Sequence, residues 1–413
     1  MRRVAIRMAT DKRIRVLIVD DSAFMRKVLQ SIISADPQLE VVGEARDGRD
    51  AVAKSEELKP DVITMDINMP HVDGLQATEL IMSSNPRPIV IVSSESRDGA
   101  DITLKALELG AIDFVAKPSS GIDLDMNSVR EELGRKLRMA SKVRVVRTAV
   151  RSKLQHDIAA SAPRTEPAAQ AAVANANSNS NSSAALNSGA AFNYKPSVPA
   201  SAMVVPIPAP TKASGGRYPI VVIASSTGGP ATLMKFVPMF SRDFPGTVLI
   251  AQHMPGTFTG QFSQQLAEIS KIKVKEAEHG EMANPGIVYI CPGSHHLRVT
   301  GAGRIALDDG PRISGYRPCA DVAMETAAAY GGPMTIGVVL TGMGNDGTRG
   351  SGAVKNAGGW VIAQDEATCV IFGMPSEAIK AGVVDQVQPI ENIYAAIEKR
   401  VLYIYGAAKV GAL

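Results

Sequence analysis

Two α/β domains, each built on a largely parallel sheet, are predicted for this chain of 413 residues by three observations. Residues 14–133 alternate short β-branched runs with segments whose apolar residues recur at helical spacing. A second series of the same kind starts at Tyr218 and lasts to the C-terminus. Between them, residues 159–213 are dominated by Ala, Ser, Asn and Pro with four charged residues, a composition that cannot bury enough apolar surface to offset its ordering entropy.

In the first series the strand cores are Ile14–Val19, Glu40–Val42, Val62–Met65, Ile89–Val92 and Phe114–Val115, and the helical segments are Ala23–Ile33, Arg49–Glu57, Leu75–Ser83 and Ile102–Leu109. Five such units predict a doubly wound, flavodoxin-like (βα)5 domain over residues 12–135. Its strands end in Asp20-Asp21, Asp66, Ser93-Ser94 and Lys117-Pro118, all expected at one sheet edge. Three carboxylates there repel one another unless a cation joins them, and an oxygen-only donor set favours Mg²⁺. An Asp beside Mg²⁺ and a Lys is poised to accept a phosphoryl group, because both cations neutralise charge on the transferring oxygens. A Ser hydroxyl at the fourth strand end would bind the new phosphoryl oxygens.

No acidic residue occurs between Glu132 and Asp157, while Arg135 to Lys153 hold eight Lys or Arg. The simple reading is a final helix with a solvated basic face running into a linker over residues 136–216; a docking patch for an acidic partner is the sharper alternative.

The second series, residues 217–406, is predicted to be a doubly wound, mainly parallel domain with one β-hairpin, Leu297–Thr300 and Arg304–Asp308 around Gly301-Ala302-Gly303. Three of its strand-like runs lead straight into reactive side chains. Pro219–Ser226 leads into Thr227-Gly228-Gly229, Thr247–Gln252 into His253, and Thr335–Leu340 into Thr341-Gly342-Met343-Gly344-Asn345-Asp346-Gly347. One reading is a glycine loop that cradles phosphate. Another is a sharp turn exposing a Ser hydroxyl, with His253 and Asp346 completing a nucleophilic triad. Nucleotide-binding patterns are absent, as is G-x-S-x-G, because Ala224 stands at the first glycine place. The order Ser226, His253, Asp346 also differs from that of α/β-hydrolases. Each residue has a plainer role open to it: Ser226 and Asp346 as helix caps, His253 as a structural histidine. Composition alone does not choose.

Global properties narrow the classes. Hydrophobic content is 45%, charged content 21% and net charge +3, globular averages that do not point to nucleic acid. No apolar run reaches the length of a membrane span, and Met1-Arg2-Arg3-Val4-Ala5-Ile6-Arg7-Met8 lacks a signal-peptide core; Met8 is an equally suitable start. Cys291, Cys319 and Cys369 are odd in number and widely spaced, which fits reduced thiols in the cytoplasm. The histidines show no zinc-site spacing.

Specific motifs carry a family resemblance. Val19-Asp20-Asp21-Ser22, Met65-Asp66-Ile67-Asn68-Met69-Pro70 with Asp73-Gly74, Val92-Ser93-Ser94 and Phe114-Val115-Ala116-Lys117-Pro118 make residues 14–133 resemble a response-regulator receiver domain. The resemblance implies phosphorylation of Asp66 by a histidine kinase of the chemotaxis type. It also implies Mg²⁺ on Asp20, Asp21, Asp66 and the Asn68 carbonyl, phosphoryl sensing by Ser93 and Lys117, and Phe114 as the aromatic switch. Residues 218–405 resemble the catalytic domain of the chemotaxis receptor methylesterases (the CheB family) through Ser226-Thr227-Gly228-Gly229, Gln252-His253-Met254-Pro255, Tyr289-Ile290-Cys291-Pro292-Gly293, Arg317-Pro318 with Asp321, and Leu340 to Gly347. That resemblance implies Ser226 as nucleophile, His253 as general base and then acid, Asp346 as its orienting partner, and backbone N–H groups of Met343 and Thr227 as oxyanion donors. It further implies hydrolysis of glutamate γ-methyl esters on methyl-accepting chemotaxis receptors, with deamidation of receptor glutamines, in the cytoplasm. No cofactor for the ester reaction, no nucleic acid and no membrane insertion are expected. The chain departs from the family pattern at Ala224-Ser225, where Gly-Ala is usual, and at Tyr316 and Cys319, in a segment that more often reads His-Arg-Pro-Ser.

Overall fold

In the computed structural model, which describes residues 13–93, 97–117, 126–143, 145 and 218–410, the first half alternates strand and helix as its sequence dictates. The strands are β1 (Ile14–Val19), β2 (Leu39–Ala45), β3 (Val62–Met65), β4 (Ile89–Ser93) and β5 (Asp113–Ala116). The helices are α1 (Ala23–Ser34), α2 (Gly48–Leu58), α3 (Gly74–Ser84), α4 (Arg97–Glu108) and α5 (Met126–Ala140). The strand order is β2-β1-β3-β4-β5, every pairing parallel. The first three helices start at side-chain caps: Ser22 accepts from Met25 N–H, Asp47 from Asp50 N–H, and Asp73 forms a capping box with Gln76. Ser94, Pro118, the alternative start at Met8 and most of the 136–216 segment lie outside the described residues.

Two expectations change. Helix α4 begins at Arg97, before the apolar pattern that starts at Ile102. More consequentially, the basic face of α5 is not wholly solvated. Lys136 is buried, donating to the Phe114 carbonyl at 2.6 Å and pairing with Asp113 at 3.1 Å and Glu132 at 2.9 Å. Burial alone would push the Lys136 pKa down, but the two carboxylates outweigh it and hold the pKa above its usual value. A helical wheel sees only the charge, whereas the fold supplies partners that make its burial tolerable.

The second half is a seven-stranded, all-parallel sheet in the order β14-β13-β12-β6-β7-β9-β8. Its strands are β6 (Ile220–Ser225), β7 (Thr247–Gln252), β8 (Lys273–Glu276), β9 (Ile287–Ile290), β12 (Thr335–Val339), β13 (Trp360–Gln364) and β14 (Gln386–Gln388). The predicted hairpin is present as β10 (His296–Val299) and β11 (Ile305–Asp308), paired antiparallel. Side chains of β6 alternate between two cores. Val221 and Ile223 pack with α6 (Gly229–Phe236), α7 (Gly256–Ile269) and α11 (Ile390–Val410). Ile220, Val222 and Ala224 pack with α8 (Ala320–Gly331), α9 (Thr348–Asn356) and α10 (Met374–Lys380). All residues of β6, β7 and β12 are buried, as expected of strands covered on both faces.

Strand order is what positions the site. From β6 the chain runs outward through β7, then returns to the other side of β6 through β12. The carboxyl ends of β6, β7 and β12 therefore meet at the switch point of the sheet, where open α/β folds form their clefts. The receiver-like half packs here too: Phe114 of β5 lies 4.5 Å, centroid to centroid, from Phe258 of α7, and Gln265 of α7 donates to Asp101 of α4 at 3.1 Å. No helix among the described residues is long and apolar enough to cross a membrane.

Candidate active site

At the first sheet's edge, the carboxylates of Asp20, Asp21 and Asp66 come within 4.8 Å of one another. Lys117 at the end of β5 reaches across to Asp20 at 2.9 Å and Asp66 at 2.8 Å. Burial, together with the neighbouring Asp20, keeps the Asp66 carboxyl above its ordinary pKa despite the lysine. Lys117 is held above its own: burial opposes this, and the two aspartates prevail. Asn68 is exposed just beyond Asp66, and Ser93 is buried with its hydroxyl donating to the Gly99 carbonyl at 3.4 Å. Three clustered carboxylates, one of them exposed, are a hard-oxygen donor set suited to Mg²⁺. Phe114 is buried against Phe258, and the Lys136 ammonium lies 5.2 Å from its ring centroid.

The second edge is assembled from three loops. After β6 the chain turns through Gly228, whose φ of +74° suits glycine, and the Gly229 N–H closes the turn on the Ser226 carbonyl at 2.8 Å. The neighbouring hydroxyls are separated by strand alternation. Ser225, in register with Gln252 on β7, donates to the Gln252 Oε1 at 2.7 Å. Ser226 instead lines a cavity of about 810 Å³ together with His253, Tyr316, Arg317 and, from α5, Arg135. Gln252 then secures both loops, its amide donating to the Ser226 and His253 carbonyls at 3.0 Å each. Thr341 links the third loop to the first by donating to the Thr227 carbonyl at 3.0 Å. Gly342 permits the close approach, since a Cβ there would fall 2.8 Å from the Ser226 Cβ. Among the described residues the N–H groups of Thr227 and Met343 meet no acceptor, leaving both available to a ligand.

His253 Nε2 lies 2.7 Å from Asp346 Oδ2, while its Nδ1 is buried without a hydrogen-bond partner. A carboxylate at Nε2 favours the tautomer with its proton there, leaving the Nδ1 lone pair as a base. Asp346 is not a cap of its own following helix, where Gly347 holds that position. It receives the N-terminus of α8: Ala320 N–H donates to Oδ2 at 2.7 Å, and Asp321 N–H to Oδ1 at 2.9 Å. Gly347 N–H at 3.0 Å and the Cys319 thiol at 3.1 Å also donate to Oδ1. Burial would raise this carboxyl's pKa, but His253 and the backbone donors overcome it and hold it at about 2. The Cys319 thiol is pushed up to about 12, by burial first and by Asp346 second, so it stays a proton donor. Cys319→Ser should keep that donor and the activity, whereas Cys319→Ala should lower kcat by about fivefold, corresponding to one lost hydrogen bond of ~1 kcal/mol. Steady-state kinetics of the two variants checks this; equal rates would show that the thiol contributes nothing.

The strand ends thus bring together Ser226, Thr227, His253, Met343 and Asp346. Gln252, Thr341 and the α8 N-terminus support them, roles that residue type did not disclose. Asp321 is a further support, accepting from Gly347 N–H at 2.8 Å and Gly350 N–H at 2.7 Å.

Comparison with known proteins agrees with this division. The CheB methylesterase family profile matches residues 221–397, and that of the response regulator receiver domain matches residues 16–127. A protein-glutamate methylesterase/protein-glutamine glutaminase of Pyrococcus horikoshii is 42% identical over 403 residues, 97% of each chain. One of Thermotoga maritima is 42% identical over 387 residues, covering 93% of this chain and 97% of the relative. The crystal structure of the Thermotoga maritima CheB methylesterase catalytic domain is 43% identical, covers 45% of this chain and 99% of its own, and superposes with a TM-score of 0.43. With matches spanning both halves in one order, the chain belongs to the CheB methylesterase family, receiver domain first and hydrolase second.

Proposed function

We propose that the chain hydrolyses glutamate γ-methyl esters on the cytoplasmic helices of methyl-accepting chemotaxis receptors, releasing methanol, and that phosphorylation of Asp66 by a histidine kinase raises the rate. The observation that carries the hydrolytic reading is the His253–Asp346 pair at 2.7 Å, with Nδ1 left without a partner, in a cavity that His253 and Ser226 both line. The names of the relatives supply the bond, a methyl ester on a protein glutamate, and the family resemblance supplies the receptors.

In this reading Ser226 Oγ attacks the ester carbonyl as His253 Nδ1 takes its proton. Asp346 holds the Nε2–H and stabilises the imidazolium that forms. The N–H groups of Met343 and Thr227 receive the oxyanion. The imidazolium returns its proton to the departing methoxide, and water then repeats the sequence to free the glutamate. The same attack on a glutamine amide would release ammonia, which accounts for deamidation. Each turnover converts a neutral ester into a carboxylate and so adds a negative charge to the receptor.

In the receiver, Asp66 is the phosphoryl acceptor, and Ser93 and Lys117 are its sensors. Mg²⁺ on Asp20, Asp21, Asp66 and the Asn68 carbonyl would supply positive charge to the transferring oxygens. Lys117, already bound to Asp20 and Asp66, would follow the new phosphoryl group. Methanol release from methylated receptor membranes, with and without a small-molecule phosphodonor and Mg²⁺, tests this reading. Wild type should be stimulated; Asp66→Asn should retain a basal rate without stimulation, and chelation of Mg²⁺ should abolish stimulation while sparing the basal rate. Equal stimulation of Asp66→Asn would overturn the assignment of the phosphorylation site.

A further inference from the structure

His253 is gripped by more than its carboxylate. The Tyr316 ring stacks on the imidazole with centroids 4.1 Å apart and planes 14° from parallel. One hydrogen bond at Nε2 fixes an atom, not the plane of the ring; the stacked phenol fixes the plane, and with it the direction of the buried Nδ1. Tyr316 is itself well held. Its backbone exchanges hydrogen bonds with Ile313 at 2.9 and 3.0 Å across a turn containing Ser314 and Gly315, both at positive φ. Its hydroxyl donates to the Met343 carbonyl at 3.4 Å, next to the N–H assigned to the oxyanion. A side chain at Gly344 would run into that hydroxyl, which gives the glycine a reason beyond its φ of +92°.

The same phenol is touched by the other domain. Arg135 of α5 places its guanidinium carbon 5.6 Å from the Tyr316 ring centroid and donates from Nη1 to the hydroxyl at 3.4 Å. Helix α5 is tied in turn to the switch strand, through Lys136 on the Phe114 carbonyl. A guanidinium beside this ring also brings positive charge toward the base, which opposes the imidazolium needed for attack.

We propose that Tyr316 is a positioning residue for the His253 imidazole, and that Arg135, seated on Tyr316, restrains the hydrolytic site through the positive charge it brings toward the base. The receiver then acts on the base through one aromatic ring in addition to any cover it provides. This rests on the reading of Ser226, His253 and Asp346 as the hydrolytic residues and of Asp66 as the phosphorylation site.

The test uses the full chain, with methanol release measured with and without phosphodonor. Arg135→Ala should raise the unphosphorylated rate about threefold to tenfold, as removal of the positive charge near the base implies, and leave the phosphorylated rate as in wild type. Tyr316→Phe keeps the stack and loses the hydroxyl, so it should match wild type in phosphorylated kcat. Tyr316→Leu loses the stack and should lower phosphorylated kcat by about tenfold or more at nearly constant KM. Unchanged kcat in Tyr316→Leu would overturn the positioning role. An unphosphorylated rate in Arg135→Ala equal to wild type, in a protein that still responds to phosphodonor, would overturn the restraint. Wild type that does not respond at all would instead overturn receiver control itself, and the restraint with it.

Discussion

Ser226→Ala is expected to reduce methanol release by roughly 10⁴-fold or more, the scale on which nucleophile removal acts in serine hydrolases. Its neighbour should behave differently. Ser225 is fully buried, and its hydroxyl serves Gln252, whose amide in turn holds the Ser226 and His253 carbonyls. Ser225→Ala strands the Gln252 Oε1, and a buried acceptor left unpaired costs about 1–3 kcal/mol. That variant should therefore lose stability, seen as a lower Tm, and lose rate only as far as the two loops loosen, by about tenfold at most. The paired measurement separates two hydroxyls that are adjacent in sequence. If Ser225→Ala proved as inactive as Ser226→Ala while remaining folded, the assignment of the nucleophile would fall.

Strand alternation is the physical basis of that distinction. Residue 225 is the last of β6, in register with Gln252, and parallel neighbours point to the same face, so Ser225 and Gln252 had to meet once β6 and β7 paired. The β-branched runs Ile220–Ser225, Thr247–Gln252 and Thr335–Val339 revealed strands because burial on both faces leaves no room for polar alternation. That β12 lies beside β6 rather than beyond β9 depends on helix packing across both faces, for which no local pattern exists. The same limit hid the partners of Asp346. Two of its donors are the first backbone N–H groups of α8, and a peptide N–H leaves no trace in residue type. The burial of Lys136 within the basic face was hidden because helical spacing records the charge but not the carboxylates of Asp113 and Glu132 that meet it. Tyr316 on His253 is a contact between loops far apart in sequence, and only its departure from the family's usual histidine marked the position.

Asp346→Asn should lower kcat by roughly 10⁴-fold, the loss typical when an orienting aspartate is neutralised in a serine triad. The loss follows from the donors to its two oxygens. Oδ1 accepts from Cys319, Asp321 and Gly347, and Oδ2 from His253 and Ala320. An asparagine has a single oxygen, which the three donors at the Oδ1 position claim. Its NH2 must then occupy the Oδ2 position, where it donates to Nε2 and faces the Ala320 N–H. The imidazole is driven to carry its proton on Nδ1, which then cannot act as a base. The pH dependence has a definite sign as well. The Asp346 carboxyl has a pKa of about 2 against an ordinary 3.8, so the ionised form is favoured by the fold. Its stabilising contribution is complete above the ordinary value and is lost only as pH falls toward 2. Between pH 8 and pH 4 the carboxylate therefore does not titrate, and Asp346 should add no proton to the slope of kcat/KM in that window. A two-proton slope in that window, or an Asp346→Asn variant within tenfold of wild-type kcat, would remove Asp346 from its orienting role.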